Sequence, residues 1–251
     1  MRIRFESVAS PDRLNDDYAF ATREWAVVLD GATALHPESN GCIHNVPWLV
    51  RHLAGNLAFE LASDPQLPLN DVLASAITST RAAHEATCDL NNPDSPSSTV
   101  TILRERDVWL DYLVLGDSPL LLHRDDGVEA VIDDRMARLD DYSYDAVIRA
   151  QNRPGGYYIA STMADAAYEA VSGTVPAAGV NAAVLLSDGA SRLVDLYRCM
   201  DWNQLVELAR NAGPGVLIDR TRAIEYSRGS IDDGRARKDH DDATALVAEL
   251  G

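Results

Sequence analysis

Apolar and polar positions recur along the chain with two periods, near two and near 3.6 residues, and the switches between them outline its elements. Short extended segments at Asp17–Ala21 and Trp25–Leu29 flank a polar turn around Arg23 and predict an antiparallel hairpin. From Pro47 to Ser63, Trp48, Leu49, His52, Leu53, Leu57 and Leu61 recur at spacings of three and four, which predicts a helix with a proline start. A second helix, capped by Asn70 or Asp71, is expected to run to about Asn91. Strand-like text returns at Ser98–Glu105, Val108–Leu115, Pro119–Arg124 and Val128–Asp133, with polar turns at Arg106-Asp107 and Asp125-Asp126-Gly127, and reads as an antiparallel meander. Helical spacing covers 134–151 and 163–171, Ala182–Leu186 reads as a buried strand, and helices follow near 190–198, 201–211 and 215–228. Thr244–Glu249 closes the chain as a strand. Strands therefore come in antiparallel blocks separated by helical blocks. That order predicts an α+β fold in which helices cover antiparallel sheets, and argues against a doubly wound nucleotide fold.

The loop-like clusters at 91–98, 152–156 and 211–215 are too brief for an interdomain linker, so 1–251 reads as a single domain. A hydrophobic fraction of 46% with 24% charged residues is ordinary globular composition and excludes disorder as the main state. With 22 basic and 39 acidic side chains the net charge is 22 − 39 = −17, which argues against a nucleic-acid partner. No run approaches the roughly 18 to 20 apolar residues of a membrane span, and the opening MRIRFESVAS lacks the apolar stretch of a secretory signal, so no membrane partner and a cytoplasmic location are expected. Cys42, Cys88 and Cys199 are far apart in sequence, odd in number and without C-x-x-C spacing. Neither a disulfide framework nor a zinc knuckle is indicated, and the thiols read as reduced and structural.

Most of the acidic excess reads as solvated surface. A few carboxylates sit elsewhere. WAVVLDGA ends an apolar strand with Asp30-Gly31, DYLVLGDS ends another with Gly116-Asp117, AAVLLSDGA ends a third with Asp188-Gly189, and Asp241-Asp242 stands just ahead of the last strand. With the hairpin turn centred near Arg23, paired residues sum to about 46, which sets Asp16 opposite Asp30. Carboxylates crowded in this way repel unless a proton or a cation neutralises them. An all-oxygen donor set favours magnesium or manganese over zinc or copper. Each Asp-Gly alone is equally a turn leaving a strand.

The joint order is more specific: N-D-D-Y at 15–18, V-V-L-D-G at 27–31, S-S-T-V at 97–100, G-D-S at 116–118, L-L-S-D-G at 185–189 and D-D-A-T at 241–244. In that order the chain resembles the metal-dependent type 2C serine/threonine protein phosphatases, in their bacterial single-domain form. The resemblance implies a four-layer α-β-β-α sandwich of two antiparallel sheets flanked by helices, with two Mn2+ or Mg2+ ions at one edge. It implies that Asp30 bridges both ions, that Gly31 offers its carbonyl, that Asp188 and Asp241 complete one ion's shell, and that Asp16 and Asp17 hold metal-bound waters. The implied reaction is hydrolysis of phosphoserine or phosphothreonine on a protein by a metal-bridging water.

Asp117 matches a residue that can help hold a third ion, but an acid expected four residues after Asp188 is replaced by Arg192. Other departures fall on the substrate side. Gly31-Ala32-Thr33-Ala34 replaces the family's Gly-His-Gly-Gly or Gly-Met-Gly-Gly, leaving His36 or His44 as the candidates for a leaving-group acid. Asp12 stands where a phosphate-clamping Arg is expected, and Arg13 beside it is the candidate clamp. Asp242 replaces a usual Asn and could bind a metal water or face solvent. His240 could support a ligand or be exposed, and Arg235-Ala236-Arg237-Lys238 could steer an anionic substrate or be a solvated loop. The altered clamp keeps two alternatives open: a phosphatase of a small phosphorylated metabolite, and a pseudophosphatase that binds without turnover. Oligomeric state is not legible.

Overall fold

The computed structural model describes residues 1–11, 13–32, 39–228 and 238–250. Two five-stranded antiparallel sheets lie face to face. One has the order β1 (Arg2–Val8), β10 (Ala243–Glu249), β9 (Val180–Leu186), β6 (Leu120–Arg124), β7 (Gly127–Val131). The other has the order β2 (Tyr18–Ala21), β3 (Trp25–Ala32), β4 (Ser97–Arg106), β5 (Trp109–Leu115), β8 (Val171–Pro176). Helices α1 (Val46–Ser63) and α2 (Leu69–Ala82) cover the second sheet, while α4 (Asp188–Asp195), α5 (Trp202–Asn211) and α6 (Pro214–Arg228) cover the first. The short α3 spans Tyr144–Ala150. The four-layer α-β-β-α sandwich is therefore the fold.

Strand periodicity sorts the core into three layers. In β3, Ala26 and Val28 face the opposite sheet, where they meet Leu120, Leu122, Leu185 and Leu246, while Val27 and Leu29 face α1 and α2. All four β3 residues are fully buried, which explains why the strand reads as a continuous apolar run rather than an alternating one. On the far side, Leu121, Val184, Leu186 and Val247 pack against Leu193, Leu205, Val206 and Leu217. Helix starts follow local chemistry. The Asn45 side chain caps α1 by accepting from the Trp48 amide at 3.0 Å, and Asp201 with Gln204 forms a reciprocal capping box on α5.

Several expectations are corrected. The hairpin pairs Tyr18 with Leu29 and Ala21 with Ala26, so partners sum to 47 rather than 46. A one-residue slip exchanges faces, and continuing this register sets Asp17, not Asp16, across from Asp30. The helix expected over 134–151 is a 3-10 turn at Met136–Arg138 followed by α3. Between them, Asp141 accepts from both the amide and the hydroxyl of Ser143, at 2.8 and 3.0 Å, a local alternative to helix hydrogen bonding. The helix expected over 163–171 is a 3-10 segment at Ala164–Glu169, and from Val171 the chain is edge strand β8, where Gly173 leaves room for the Tyr112 ring. The expected second helix stops at Ala82 rather than near Asn91. Strand β1 is not among the expected elements: its mostly polar RIRFESV buries no residue fully, with Ile3 packing partly against the core, and it is held by pairing with β10.

A buried ion network fixes the β4–β5–β8 corner. Asp111 accepts from Arg104 Nη2 at 2.9 Å, from Arg106 Nε at 3.0 Å and from Thr174 Oγ1 at 2.7 Å, and Arg104 Nη1 donates to the Leu67 carbonyl at 2.9 Å. Arg104 is 3% exposed, so its loss strips charge compensation from a buried carboxylate. Arg104→Ala is expected to cost roughly 3 kcal/mol in urea unfolding, with a clearly smaller loss for Arg106→Ala, whose side chain reaches solvent. Equal effects would contradict this account of the corner.

Candidate active site

The apolar runs that build the sandwich end at one rim, and each delivers an acidic side chain there. Asp30 shares the inward face of Ala26 and Val28 but lies near the end of β3, past the apolar core. Asp188 opens α4 immediately after β9 and Ser187, and its backbone amide donates to Asp30 Oδ2 at 3.1 Å. The Ser118 hydroxyl donates to the same oxygen at 3.4 Å. Asp117 follows Gly116 at the β5–β6 turn, and Asp241 precedes β10. Asp17, ahead of β2, is 5% exposed, and neither carboxylate oxygen has a hydrogen-bond partner among the described residues. The S-S-T-V segment supports this rim: Ser98 Oγ donates to the Asp30 carbonyl at 3.1 Å, Thr99 and Ser118 hydroxyls meet at 2.7 Å, and Thr101 Oγ1 donates to the Ser118 carbonyl at 2.6 Å.

Two glycines are required by close approach. A Cβ on Gly31 would lie 2.5 Å from the Asp16 carbonyl oxygen, and one on Gly189 would lie 1.9 Å from the Asp242 carbonyl oxygen. The glycine of each Asp-Gly pair therefore lets a second acidic segment cross directly against the first. Asp242 does not face solvent. It is buried and clamps the crossing, accepting from the Ser10 amide on Oδ1 and the Asp16 amide on Oδ2, both at 2.7 Å.

Crowding and burial shift these groups together. Burial, then the charges of Asp17, Asp188, Asp241 and Asp117, raise the Asp30 carboxyl well above the ordinary carboxylate range. Burial, then Asp241 and Asp117, do the same to Asp188 against the opposing pull of Arg192 and Lys238. Asp117 is also raised, first by burial. Asp17 is pushed up to about 7 by burial, with the Thr244 and Ser187 hydroxyls holding it down and Asp242 and Asp241 adding to the rise. The donor set is hard and anionic, and Asp17 is a buried carboxylate with no hydrogen-bond partner within bonding distance among the described residues, so a cation would satisfy its lone pairs. The residues therefore fit Mn2+ or Mg2+.

Other side chains near this rim take up contacts that the sequence does not assign to them. Arg192, where a further acid was expected, donates through Nη2 to Asp241 Oδ2 at 3.0 Å, and Lys238 Nζ meets Asp241 Oδ1 at 2.6 Å. Arg192 is held in turn by Glu225, which is 1% exposed: its carboxylate takes Arg192 at 2.8 Å, Arg222 at 2.8 Å and His240 Nδ1 at 2.9 Å. Arg222 also donates to the Asp241 carbonyl. His240 is thus a partner of Glu225 rather than an exposed residue or a direct support of Asp241. Nothing marks Glu225 in sequence, because it sits on a helix among ordinary surface charges. Arg13 is exposed, with its backbone amide on the Ser10 carbonyl at 3.4 Å and no ion pair among the described residues. Asp16 lies at the rim with its backbone against Gly31. Asp12, His36 and Arg235–Arg237 lie outside the described residues.

A family model described as protein phosphatase 2C matches residues 7–214. The chain belongs to the protein phosphatase 2C family. Membership makes it a metal-dependent protein phosphatase whose cations are manganese or magnesium, and the pseudophosphatase and metabolite readings are not favoured. Among solved structures it is similar to the serine/threonine phosphatase PstP/Ppp of Mycobacterium tuberculosis, at 16% identity and TM-score 0.63 over 99% of this chain and 98% of that one. It is also similar to PppA of Pseudomonas aeruginosa, at 18% identity and TM-score 0.61 over 100% and 97%. A third likeness is to the catalytic domain of PstP in complex with two manganese ions, at 16% identity and TM-score 0.62 over 99% and 97%. A search of curated proteins by sequence found no match. No helix among the described residues is long and apolar enough to cross a membrane.

The Asp17 shift has a definite sign. Its carboxyl ionises near pH 7 in the fold, as against about 3.9 in an unfolded chain. The stability it contributes is full below about pH 4 and is lost as pH rises through about 7. In chelator, the melting temperature is expected to be lower at pH 8 than at pH 5, the gap to shrink in Asp17→Asn, and saturating Mn2+ to close it. An Asp17→Asn profile parallel to that of the parent would refute this source of the pH dependence.

Proposed function

We propose that residues 1–251 act as one catalytic domain that removes phosphate from phosphoserine and phosphothreonine of cytoplasmic proteins. The observation that carries this reading is the crowding of Asp30, Asp188 and Asp17 at the rim of the sandwich, where the Asp17 carboxylate has no hydrogen-bond partner among the described residues. In this reading two cations would be held by Asp30, the Gly31 carbonyl, Asp188 and Asp241, with Asp16 and Asp17 contributing directly or through water. Asp17 stands across from Asp30 in the strand register, and Asp117 is the residue that would help to hold a third ion. When bound, the cations lower the pKa of a water and neutralise charge on the phosphoryl oxygens.

The chain's own residues then orient the ester. Arg13, exposed and free of an ion pair among the described residues, is the clamp for two phosphoryl oxygens. Arg192 and Lys238 hold Asp241 through both oxygens and set the direction in which it can donate. His44 is withdrawn as a leaving-group acid because its Nδ1 is engaged with Cys42 and Cys88. A cytoplasmic site agrees with three free thiols.

Hydrolysis of p-nitrophenyl phosphate and of a phosphothreonine peptide, each with Mn2+, Mg2+ or chelator, tests the reading. Asp30→Asn and Asp188→Asn are each expected to lose at least about a hundredfold in metal-dependent turnover. Asp30→Asn should also raise the melting temperature of the metal-free protein, since it removes a charge from the crowded rim. Parent-like turnover in either variant would overturn the site assignment. Turnover of the small ester with none on the peptide would move the substrate to a phosphorylated metabolite.

A further inference from the structure

Away from the acidic rim, the fold assembles a second cluster of a different chemistry. Cys42, His44, His84 and Cys88 come from two segments some forty residues apart, and one donor atom from each lies within 4.8 Å of every other. His84 Nδ1 is 3.5 Å from Cys42 Sγ, and His44 Nδ1 is 3.6 Å from Cys42 Sγ and 3.4 Å from Cys88 Sγ. The two sulfurs are 2.8 Å apart. A tetrahedral zinc with Zn–S near 2.3 Å and Zn–N near 2.0–2.1 Å requires nitrogen–sulfur separations of about 3.5 Å. Three of the four nitrogen–sulfur separations are already near that value, every other donor pair lies within 4.8 Å, and the sulfurs need to open by about 1 Å.

We propose that Cys42, His44, His84 and Cys88 form a structural Zn2+ site, separate from the carboxylate centre. Two thiolates and two imidazoles are the soft donor set that selects zinc over Mn2+ or Mg2+, so the two centres sort different metals. On binding, the two thiols release their protons to solvent and all four positions of the tetrahedron are filled, as a structural rather than a catalytic zinc requires.

The surroundings are built for the cluster. His84 is 2% exposed, its Nε2 has no hydrogen-bond partner among the described residues, and its Nδ1 is 3.5 Å from the Cys42 sulfur. Trp48 stacks on the His44 ring at 3.9 Å with planes 20° apart, covering one side. His84 and Cys88 lie on one face of a helical turn, because the Cys88 amide donates to the His84 carbonyl at 3.1 Å. Cys42 is aimed by the Asn40 side chain, which accepts from its amide at 2.9 Å. The segments are joined by the Asp89 amide on the Gly41 carbonyl at 2.8 Å, and Gly41 has φ +77°, a conformation that favours glycine. A metal there would pin the chain that follows Asp30-Gly31 and leads into α1 to the end of α2, closing a long loop through both helices. The expectation that the cysteines lie too far apart to act together fails because the ligands come as Cys-x-His and His-x-x-x-Cys, one pair from each side of the two helices.

The test is metal content of reduced protein purified without chelator, measured by inductively coupled plasma mass spectrometry. One zinc per chain is expected in the parent and in Asp30→Asn, and less than about a tenth of that in Cys42→Ser, Cys88→Ser and His84→Ala. Retention in Asp30→Asn separates this site from the phosphatase centre, so either can fail alone. Should a ligand variant misfold, the stripped parent titrated with Co2+ provides a second readout. It should give the intense visible bands and thiolate charge transfer of a tetrahedral Co2+ site, abolished by competing Zn2+, and the zinc-loaded parent should melt several degrees above the stripped one. No bound zinc together with an octahedral Co2+ spectrum would overturn the proposal. A Cys42–Cys88 disulfide in freshly isolated protein, seen as a mass two protons lower, would overturn it in favour of a redox pair.

Discussion

Asp30 is held beside Asp17 and Asp188 in a recess where burial disfavours the charge of every one of them. Like charges at that separation in a poorly solvated place push the chain apart unless a proton or a cation intervenes. The surrounding structure is arranged to resist that push. Apolar strands packed on both faces carry the acids to the rim, Gly31 and Gly189 let acidic segments cross within contact of each other, and Asp242 ties the Ser10 and Asp16 amides into the crossing. A fold that concentrates its packing just beneath a repulsive cluster stores a preference for divalent cations before any arrive.

Much of this was legible because the signal is local. An apolar run followed by Asp-Gly shows both the buried strand and the close crossing beyond it, and the repetition of that signal at Asp30, Asp188 and, with its order reversed, Asp117 marks a shared rim. The α+β layering followed from blocks of strands and blocks of helices. What misled was finer than the pattern. The hairpin register depends on turn geometry rather than on hydrophobicity, and one residue of error exchanged Asp16 for Asp17 as the acid facing Asp30. The Asp141–Ser143 side-chain bonds broke a helix that periodicity alone would continue.

The least legible features are those made by tertiary convergence. Glu225 reads as one charge among many on α6, yet the fold buries it and surrounds it with Arg192, Arg222 and His240. The Cys42–His44–His84–Cys88 cluster is likewise divided by α1 and α2, so neither half has the spacing of a metal motif. Both depend on how helices return to the sheets. Glu225 bears on the acidic rim through Arg192 and Asp241.

Arg192 bears on how many cations the rim suits. Where a further acid would extend the site toward Asp117, a guanidinium instead occupies Asp241 Oδ2, and Lys238 occupies Oδ1. Each contact uses a lone pair and adds a positive charge near Asp188, whose carboxyl both cations pull downward against its neighbours. A third divalent ion on that flank would meet one donor fewer and one more like charge than a site with an acid in place of Arg192. Two ions beside Asp30 meet no such opposition from Asp17, whose oxygens remain without a partner among the described residues. Arg192 and Lys238 therefore already compensate Asp241 and Asp188, whereas burial and the neighbouring acids leave Asp17 raised, so the demand for added positive charge falls most heavily on Asp17 and Asp30.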